Sequence, residues 1–189
     1  MPNISAHMIV AKKVSDKLNI KSDDFFRGNL LPDVIDMNDS HHKIESGVYL
    51  IPDIEYHIKT LDLTKDLNKG YLVHLLLDKH YLEEYLTNLY PNKNIFVDKK
   101  IYKDYDYLNY DLVKKYNLDL DYLNKVLSNF DNKVLKEKLK YNLECLNQKS
   151  EGKTTYLELE SFTSFLNNVS EIISKELDNY LNNKIDKND

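Results

Sequence analysis

The sequence predicts a single all-α domain, a multi-helix bundle, and three observations carry this expectation. Glycine and proline occur only four times each in 189 residues, which favours helices joined by short connections over tight turns. Apolar residues recur at spacings of three and four along most of the chain, the period of an amphipathic helix. Hydrophobic residues make up 42% and charged residues 30%, as in a globular domain that buries a core.

The N-terminal region alternates between a helix and polar connections. An apolar stripe predicts a helix over 4–18. Ser22 is placed to cap a short turn that Gly28 would end. Residues 29–33 read as a turn, because a residue that precedes proline is biased away from helix. The polar stretch 38–47 is expected to be a loop.

The strongest helix is predicted over 64–90. Between Leu72 and Leu77 it is apolar apart from His74, so we expect it to be buried on several sides. Before it, Pro52-Asp53 suits the start of a helix that runs to about residue 61. Further helices are expected at 104–116, 119–129, 132–148 and 156–184, the last with a capping box formed by Thr155 and Glu158.

The bulk properties exclude several classes of protein. A net charge of −5 leaves no cationic surplus for a phosphate backbone, so nucleic-acid binding is not expected. The one cysteine, Cys145, cannot form an intramolecular disulfide. There is no signal-peptide pattern at the N-terminus and no window of about 20 apolar residues. The expected location is therefore the cytoplasm.

All six histidines lie between residues 7 and 80, and His74 with Asp78 forms the sharpest pair. Residues four apart lie about 40° apart around a helix, so both side chains can reach one metal ion. Because this helix is otherwise apolar, the buried carboxylate needs a partner. Either a metal or a purely structural His–Asp hydrogen bond would supply it, and the pair alone leaves both open.

Other candidate ligands stand before this helix, and each has an ordinary structural alternative. Asp33 follows Pro32 and could simply cap a turn. His7 could be a partly buried histidine of the first helix, and His42, or its neighbour His41, could be solvated in the polar loop. Taken together, these nitrogen and carboxylate donors suit zinc, with manganese, iron or nickel as other divalent candidates.

Several hydrolase and nucleotide motifs are absent. No histidine is followed by aspartate, and His-Glu-x-x-His does not occur. There is no glycine-rich phosphate loop and no Gly-x-Ser-x-Gly. These absences exclude the corresponding enzyme classes.

The remaining pattern resembles the zinc-dependent phospholipase C family over about residues 5–85. The element Gly-Tyr-x-x-His-x-x-x-Asp is the most specific part, and Gly-x-x-x-Pro-Asp is the second. In chain order the elements are His7, Gly28-x-x-x-Pro-Asp33, His42 and Gly70-Tyr-x-x-His74-x-x-x-Asp78.

The resemblance implies an all-helical fold around a cluster of up to three metal ions. Asp33, His42, His74 and Asp78 would hold one ion. Asp78 would bridge to a second, which His7 would also ligate. Asp33 would in addition act as the general base for the attacking water, which makes it the candidate catalytic residue.

The departures from the family reduce the expected number of ions to one or two. Secreted members use their N-terminal amine as a ligand, whereas here Met1 stands six residues before His7. His80 and Glu84 have a spacing that resembles part of the third site. However, His80 lies roughly 240° around the helix from His74, so we expect these two residues to form an exposed pair.

Asp53 and His57 are further candidates for the site. They are four residues apart. In the ordinary interpretation, Asp53 is an acidic residue at the start of a helix and His57 is a surface histidine. The alternative places one of them at the rim of the pocket or on a second metal ion.

We therefore expect a zinc-dependent hydrolase of phosphoric esters, a phosphodiesterase or phosphatase that acts on a small phosphate-containing substrate or a phospholipid headgroup. The metal site would occupy residues 1–90, and 91–189 would form a helical scaffold and pocket wall. The main alternative is a metal-stabilised helical module that binds a ligand or protein without turnover. A nuclease is a lesser option, because the chain is acidic.

Overall fold

Helices dominate the computed structural model, which describes residues 2–35, 40–128, 137, 140, 143–146 and 148–185. Its elements in chain order are α1 (Ile4–Leu18), α2 (Asp23–Leu30), β1 (Lys43–Ser46), β2 (Tyr49–Pro52), α3 (Ile54–Thr60), α4 (Asp66–His80), α5 (Lys100–Lys115), α6 (Leu120–Ser128) and α7 (Leu159–Ile185). A mostly helical chain is thus confirmed. In the described ranges no helix has the length and apolarity required to cross a bilayer.

The first helix matches its prediction at both ends. The side chain of Asn3 accepts a hydrogen bond from the Ala6 amide, and Asn19 ends the helix in a left-handed conformation with φ 53°. Such a residue lets the chain leave the helix while the last carbonyls stay bonded. Ser22 caps α2 as predicted, but the helix runs on to Leu30. Gly28 therefore lies inside it and does not end it.

A β-hairpin replaces much of the predicted loop at 38–47. The two strands pair antiparallel, with Lys43 opposite Pro52 and Ser46 opposite Tyr49. Gly47, with φ 57°, forms part of the turn. Strands of four residues carry too little periodicity to be recognised in a sequence. Residues 36–39 of that loop lie outside the described residues.

The helix predicted over 64–90 is confirmed as one continuous helical segment. It comprises α4, a π-helical stretch at Tyr81–Leu86 and a final turn at Thr87–Leu89. Every residue from Leu72 to Asp78 is buried, as the apolar run predicted. Before it, α3 begins after Asp53, whose side chain accepts from the Tyr56 amide, whereas Pro52 still belongs to β2.

The C-terminal elements pack against this N-terminal core. Helix α7 contacts both α1 and α4. The buried carboxylate of Asp104 on α5 accepts the backbone N–H groups of residues 155–157 at 2.6–3.0 Å, and α7 begins only after them. The capping box at Thr155 is therefore not formed. The helix predicted at 132–148 lies mostly outside the described residues.

Helices α2 and α4 approach each other so closely that two glycines are required. A Cβ atom at Gly28 would lie 1.8 Å from the Leu67 carbonyl oxygen, and one at Gly70 would lie 1.9 Å from that of Phe25. The obstructing atoms are backbone, so they cannot rotate aside as a flexible side chain could. This close approach explains why glycine begins both sequence elements, at Gly28 and at Gly70. It brings the end of α2 against the middle of α4.

We expect Gly70→Ala to lower the free energy of unfolding by about 3 kcal/mol, the upper range for overpacking a rigid contact. Urea denaturation followed by circular dichroism measures the change. Gly47→Ala is the matched control: a Cβ there meets no atom within 4 Å, so only the positive φ costs about 1 kcal/mol. Equal losses at the two positions would contradict the close approach.

Candidate metal centre

Five side chains converge where α1, α4 and the segment after α2 meet. They form two groups whose potential ligand atoms lie within 4.8 Å of one another. One group is His7, His74 and Asp78, and the other is Asp33, His41 and His74. Because one imidazole nitrogen binds one ion, His74 can serve only one of two ions at a time. The cluster therefore has donors for one ion or for two neighbouring ions.

Asp78 lies at the centre of the cluster. Its Oδ1 is 3.4 Å from His7 Nε2, while its Oδ2 is 3.0 Å from His41 Nε2 and 3.4 Å from His74 Nε2. All four residues are buried. Asp33 Oδ1 lies 3.7 Å from His74 Nε2, and the Asp33 side chain is 31% exposed. The cluster is thus closed on the Asp78 side and reaches solvent at Asp33.

The pKa values of His74 and His7 shift in opposite directions. Burial opposes a charge on His74, but the carboxylates of Asp33 and Asp78 raise its pKa above 6.5. Burial, together with the charge on His74, lowers the pKa of His7, whose ring stacks on that of His74 at 3.7 Å. Burial would raise the pKa of Asp78, yet the charge on His74 and the hydrogen bond from His41 hold it well below its ordinary value.

Hydrogen bonds outside the cluster orient two of the imidazoles. His74 Nδ1 donates to the backbone carbonyl of Asn29 at 2.7 Å. Ser40 Oγ donates to the Pro32 carbonyl at 3.0 Å and lies 2.7 Å from His41 Nδ1, whose N–H it can accept. When these imidazoles are neutral, as a metal ion requires, each Nε2 carries a lone pair on the Asp78 side in place of an N–H that donates to the carboxylate. Such outer partners are typical of metal-binding histidines.

Several polar atoms of the cluster are buried without a hydrogen-bond partner among the described residues. They are both ring nitrogens of His7, Nε2 of His74 and Oδ1 of Asp78. An unpaired buried polar atom costs free energy, and native structures contain few of them. Nitrogen and carboxylate donors of this kind match the ligand preference of zinc and similar divalent ions. The residues present therefore fit a bound metal ion.

His42, predicted as a ligand, lies outside the cluster, and the structure brings His41 to that place instead. His42 is exposed, adopts φ 46° and stacks on the Tyr56 ring at 3.6 Å. The left-handed backbone at His42 directs the two neighbouring imidazoles to different sides. Residue types alone could not choose between two adjacent histidines, since the choice depends on the backbone path into β1.

Asp53 and His57 do not join either group of potential ligands. Asp53 caps α3. His57 is buried, not at the surface as the ordinary interpretation has it, and its ring lies beside Tyr71. Burial lowers the pKa of His57, although a hydrogen bond to the His41 backbone acts in the opposite direction. His57 therefore lies behind His41 and contacts its backbone, while its Nε2 has no partner in the described structure.

His80 and Glu84 form the predicted pair, but the histidine is buried. His80 Nδ1 lies 2.6 Å from Glu84, and its Nε2 lies 3.0 Å from Glu176 on α7. Burial opposes a charge on His80, but the hydrogen bonds that its ring donates to both carboxylates raise its pKa. The expectation of an exposed pair is wrong for His80, because α7 covers this side of α4, while Glu84 is exposed as expected.

Three residues that support the cluster were not recognised in the sequence. In the orientation that satisfies both of its ends, the Asn29 amide donates to the His7 carbonyl at 3.1 Å and accepts from the His74 backbone N–H at 3.3 Å. Tyr71 donates its hydroxyl to the Ser40 carbonyl at 2.5 Å, and burial raises the pKa of Tyr71 to about 12. Asn29 and Ser40 had no sequence signal beyond proximity to Asp33 and His41, whereas Tyr71 belongs to the Gly70-Tyr-x-x-His74 element, which gave it no stated role.

Comparisons of the chain with protein-family models, with curated proteins and with solved structures found no match. The inference of function therefore depends on the chemistry and geometry of the cluster itself.

We expect His41→Ala to weaken zinc binding about 100-fold or more, because losing only an outer partner of a ligand already costs 10- to 100-fold. Zinc per chain, measured by elemental analysis after dialysis against a defined free-zinc buffer, reports the change. His42→Ala is the matched control, since the neighbouring imidazole lies outside the cluster. Equal loss of zinc in the two variants would contradict the placement of His41.

Metal binding should depend on pH through His74. The raised pKa of His74 stabilises the metal-free fold below its unfolded value of about 6.5, and that contribution is lost as the pH rises through the folded value. A metal ion requires the neutral imidazole, so binding releases the proton. The increase in Tm on zinc addition should therefore grow from pH 5.5 to pH 7.5. An increase that does not change with pH would contradict this.

Proposed function

We propose that this protein is a metal-dependent hydrolase of phosphoric esters, with a site of the zinc-dependent phospholipase C type. The observation that carries the proposal is the buried cluster of histidine and aspartate donors with unpartnered atoms, open to solvent at one further carboxylate. Zinc suits this donor set best, and manganese, iron or nickel are also compatible. The ligands would be His7, Asp33, His41, His74 and Asp78.

A metal ion in this cluster would polarise a phosphoryl oxygen and lower the pKa of a bound water. Side chains and hydrogen bonds of the protein would orient the ligands of that ion. Asp78 presents Oδ1 towards His7 and Oδ2 towards His41 and His74, so its carboxylate would hold a bound metal together with these histidines. The hydrogen bonds from Asn29 and Ser40 hold the imidazoles so that little reorganisation accompanies the reaction.

Asp33 is placed to act as the general base. Its side chain is the partly exposed member of the cluster, so water and a phosphate group can reach it from solvent. In the proposed step Asp33 accepts a proton from the attacking water, whose oxygen bonds to phosphorus as the ester oxygen leaves. The proton then passes from Asp33 to that leaving oxygen, which restores the carboxylate.

The complete burial of four of the five donors also fits a second function, a metal-stabilised module that binds a ligand or protein without turnover. In that case protein donors would fill the coordination positions, as in structural zinc sites. The exposure of Asp33 favours the enzyme, because a catalytic metal site keeps a position open towards substrate.

Hydrolysis of bis(p-nitrophenyl) phosphate and p-nitrophenyl phosphate by zinc-loaded protein tests the proposal. We expect turnover by the wild type, and a kcat reduced about 10²- to 10⁴-fold in Asp33→Asn with zinc content retained, the range for loss of a general base. Asp16→Asn, at a side chain that is 68% exposed on α1, should leave kcat unchanged.

The possible outcomes separate the two functions. An unchanged kcat in zinc-loaded Asp33→Asn would exclude Asp33 as the base. Zinc-loaded wild type that hydrolyses neither ester, while zinc still raises its Tm, would favour the binding module.

A further inference from the structure

Exposed apolar side chains and unpaired lysines occur together where the hairpin tip meets the segment before α5. Val97 is 79% exposed, and Val48 and Tyr102 are also exposed. Surface apolar residues are ordinary when scattered singly, so the argument depends on their juxtaposition. We call the set formed by Val48, Val97, Lys99, Lys100, Tyr102 and Lys103 the loop patch.

Contacts between the two segments hold the loop patch together. Asn94 donates its side-chain amide to the Val48 carbonyl at 3.2 Å, and Tyr49 donates its hydroxyl to the Lys93 carbonyl at 3.0 Å. The Phe96 ring contacts the rings of both Tyr49 and Tyr102, with centroid distances of 6.1 and 5.9 Å. The exposed side chains therefore project from a backbone that is anchored on both sides.

The local charge is opposite to that of the chain. The protein carries a net charge of −5, whereas residues 93–103 contain four lysines and one aspartate. Lys93 lies 4.0 Å from Asp98, and Asp98 also accepts from Tyr156. In the part of the chain that the structure describes, Lys99, Lys100 and Lys103 form no ion pair with a carboxylate. All three side chains are exposed, so an external anion can reach them.

We propose that the loop patch is a docking surface for an anionic lipid bilayer. Lysines close to a lipid surface are attracted by its negative potential, while exposed aliphatic and aromatic side chains enter the interfacial region. The acidic side chains of a protein partner would satisfy the lysines but would leave a valine as exposed as Val97 without an apolar contact. A nucleic acid would likewise leave Val97 and Val48 without a partner.

This docking goes beyond the proposed hydrolysis and does not depend on it. The described ligands of the metal cluster lie on α1, α4 and the segment before β1, not in the loop patch. Bilayer contact can therefore be measured with metal-free protein. Loss of hydrolysis and loss of docking are then separate results.

Cosedimentation of the whole, metal-free chain with vesicles tests the inference. We expect binding to vesicles of 30% phosphatidylserine in phosphatidylcholine, weaker binding at raised salt, and little binding to phosphatidylcholine alone. Val97→Asp should lower the partition coefficient about 10-fold, and the double variant Lys99→Glu/Lys100→Glu should lower it by a similar factor or more. Circular dichroism confirms that these surface variants remain folded.

Two matched controls should bind as the wild type does. Ile172→Asp introduces a charge at an exposed apolar residue of α7. Lys59→Glu/Lys65→Glu reverses two exposed lysines elsewhere. Failure of the wild type to cosediment, or equal losses in the controls, would overturn the proposal. So would a dimer in sedimentation velocity that Val97→Asp dissociates without any change in vesicle binding, because the loop patch would then be a self-interface.

Discussion

The contact between α2 and α4 is the constraint on which the cluster depends. Since Gly28 and Gly70 have no Cβ, the backbones of the two helices meet where a methyl group would clash with a carbonyl oxygen. That approach places Asn29, the next residue on α2, against His74. Its carbonyl orients the His74 ring, and its amide spans the backbones of His7 and His74. One contact thus sets the relation of three helices.

The cluster itself is costly to bury. Charged and polar groups removed from water lose solvation, and only close partners offset that loss. Here the charge on His74 is balanced by Asp33 and Asp78, yet neither ring nitrogen of His7 has a hydrogen-bond partner in the described structure. Sites that break the rule of satisfied burial tend to be functional sites. This supports a metal-bound state, in which the unpaired nitrogen and oxygen atoms would become ligands.

The C-terminal helices complete the surroundings, and their described residues add no donor to the cluster. Tyr81 and Tyr85 on the long helical segment pack against Phe162 and Phe165 of α7. On the same side His80 joins Glu176 of α7. Because α7 also packs along α1, it holds together the two helices that carry His7, His74 and Asp78. A scaffold role for the second half agrees with these contacts, while its role as a pocket wall stays a prediction.

The sequence by itself determined the helices and most of the cluster. Local apolar periodicity predicted α1 and the long helix, because this signal lies within a few residues of the chain. The pair His74 and Asp78 was evident, since the spacing on one helix requires no knowledge of its neighbours. What the tertiary structure decided are relations between distant segments: His41 in place of His42, the bond from His80 to Glu176, and the support by Asn29 and Ser40. These depend on backbone direction and on packing of elements far apart in sequence, which residue order does not encode locally.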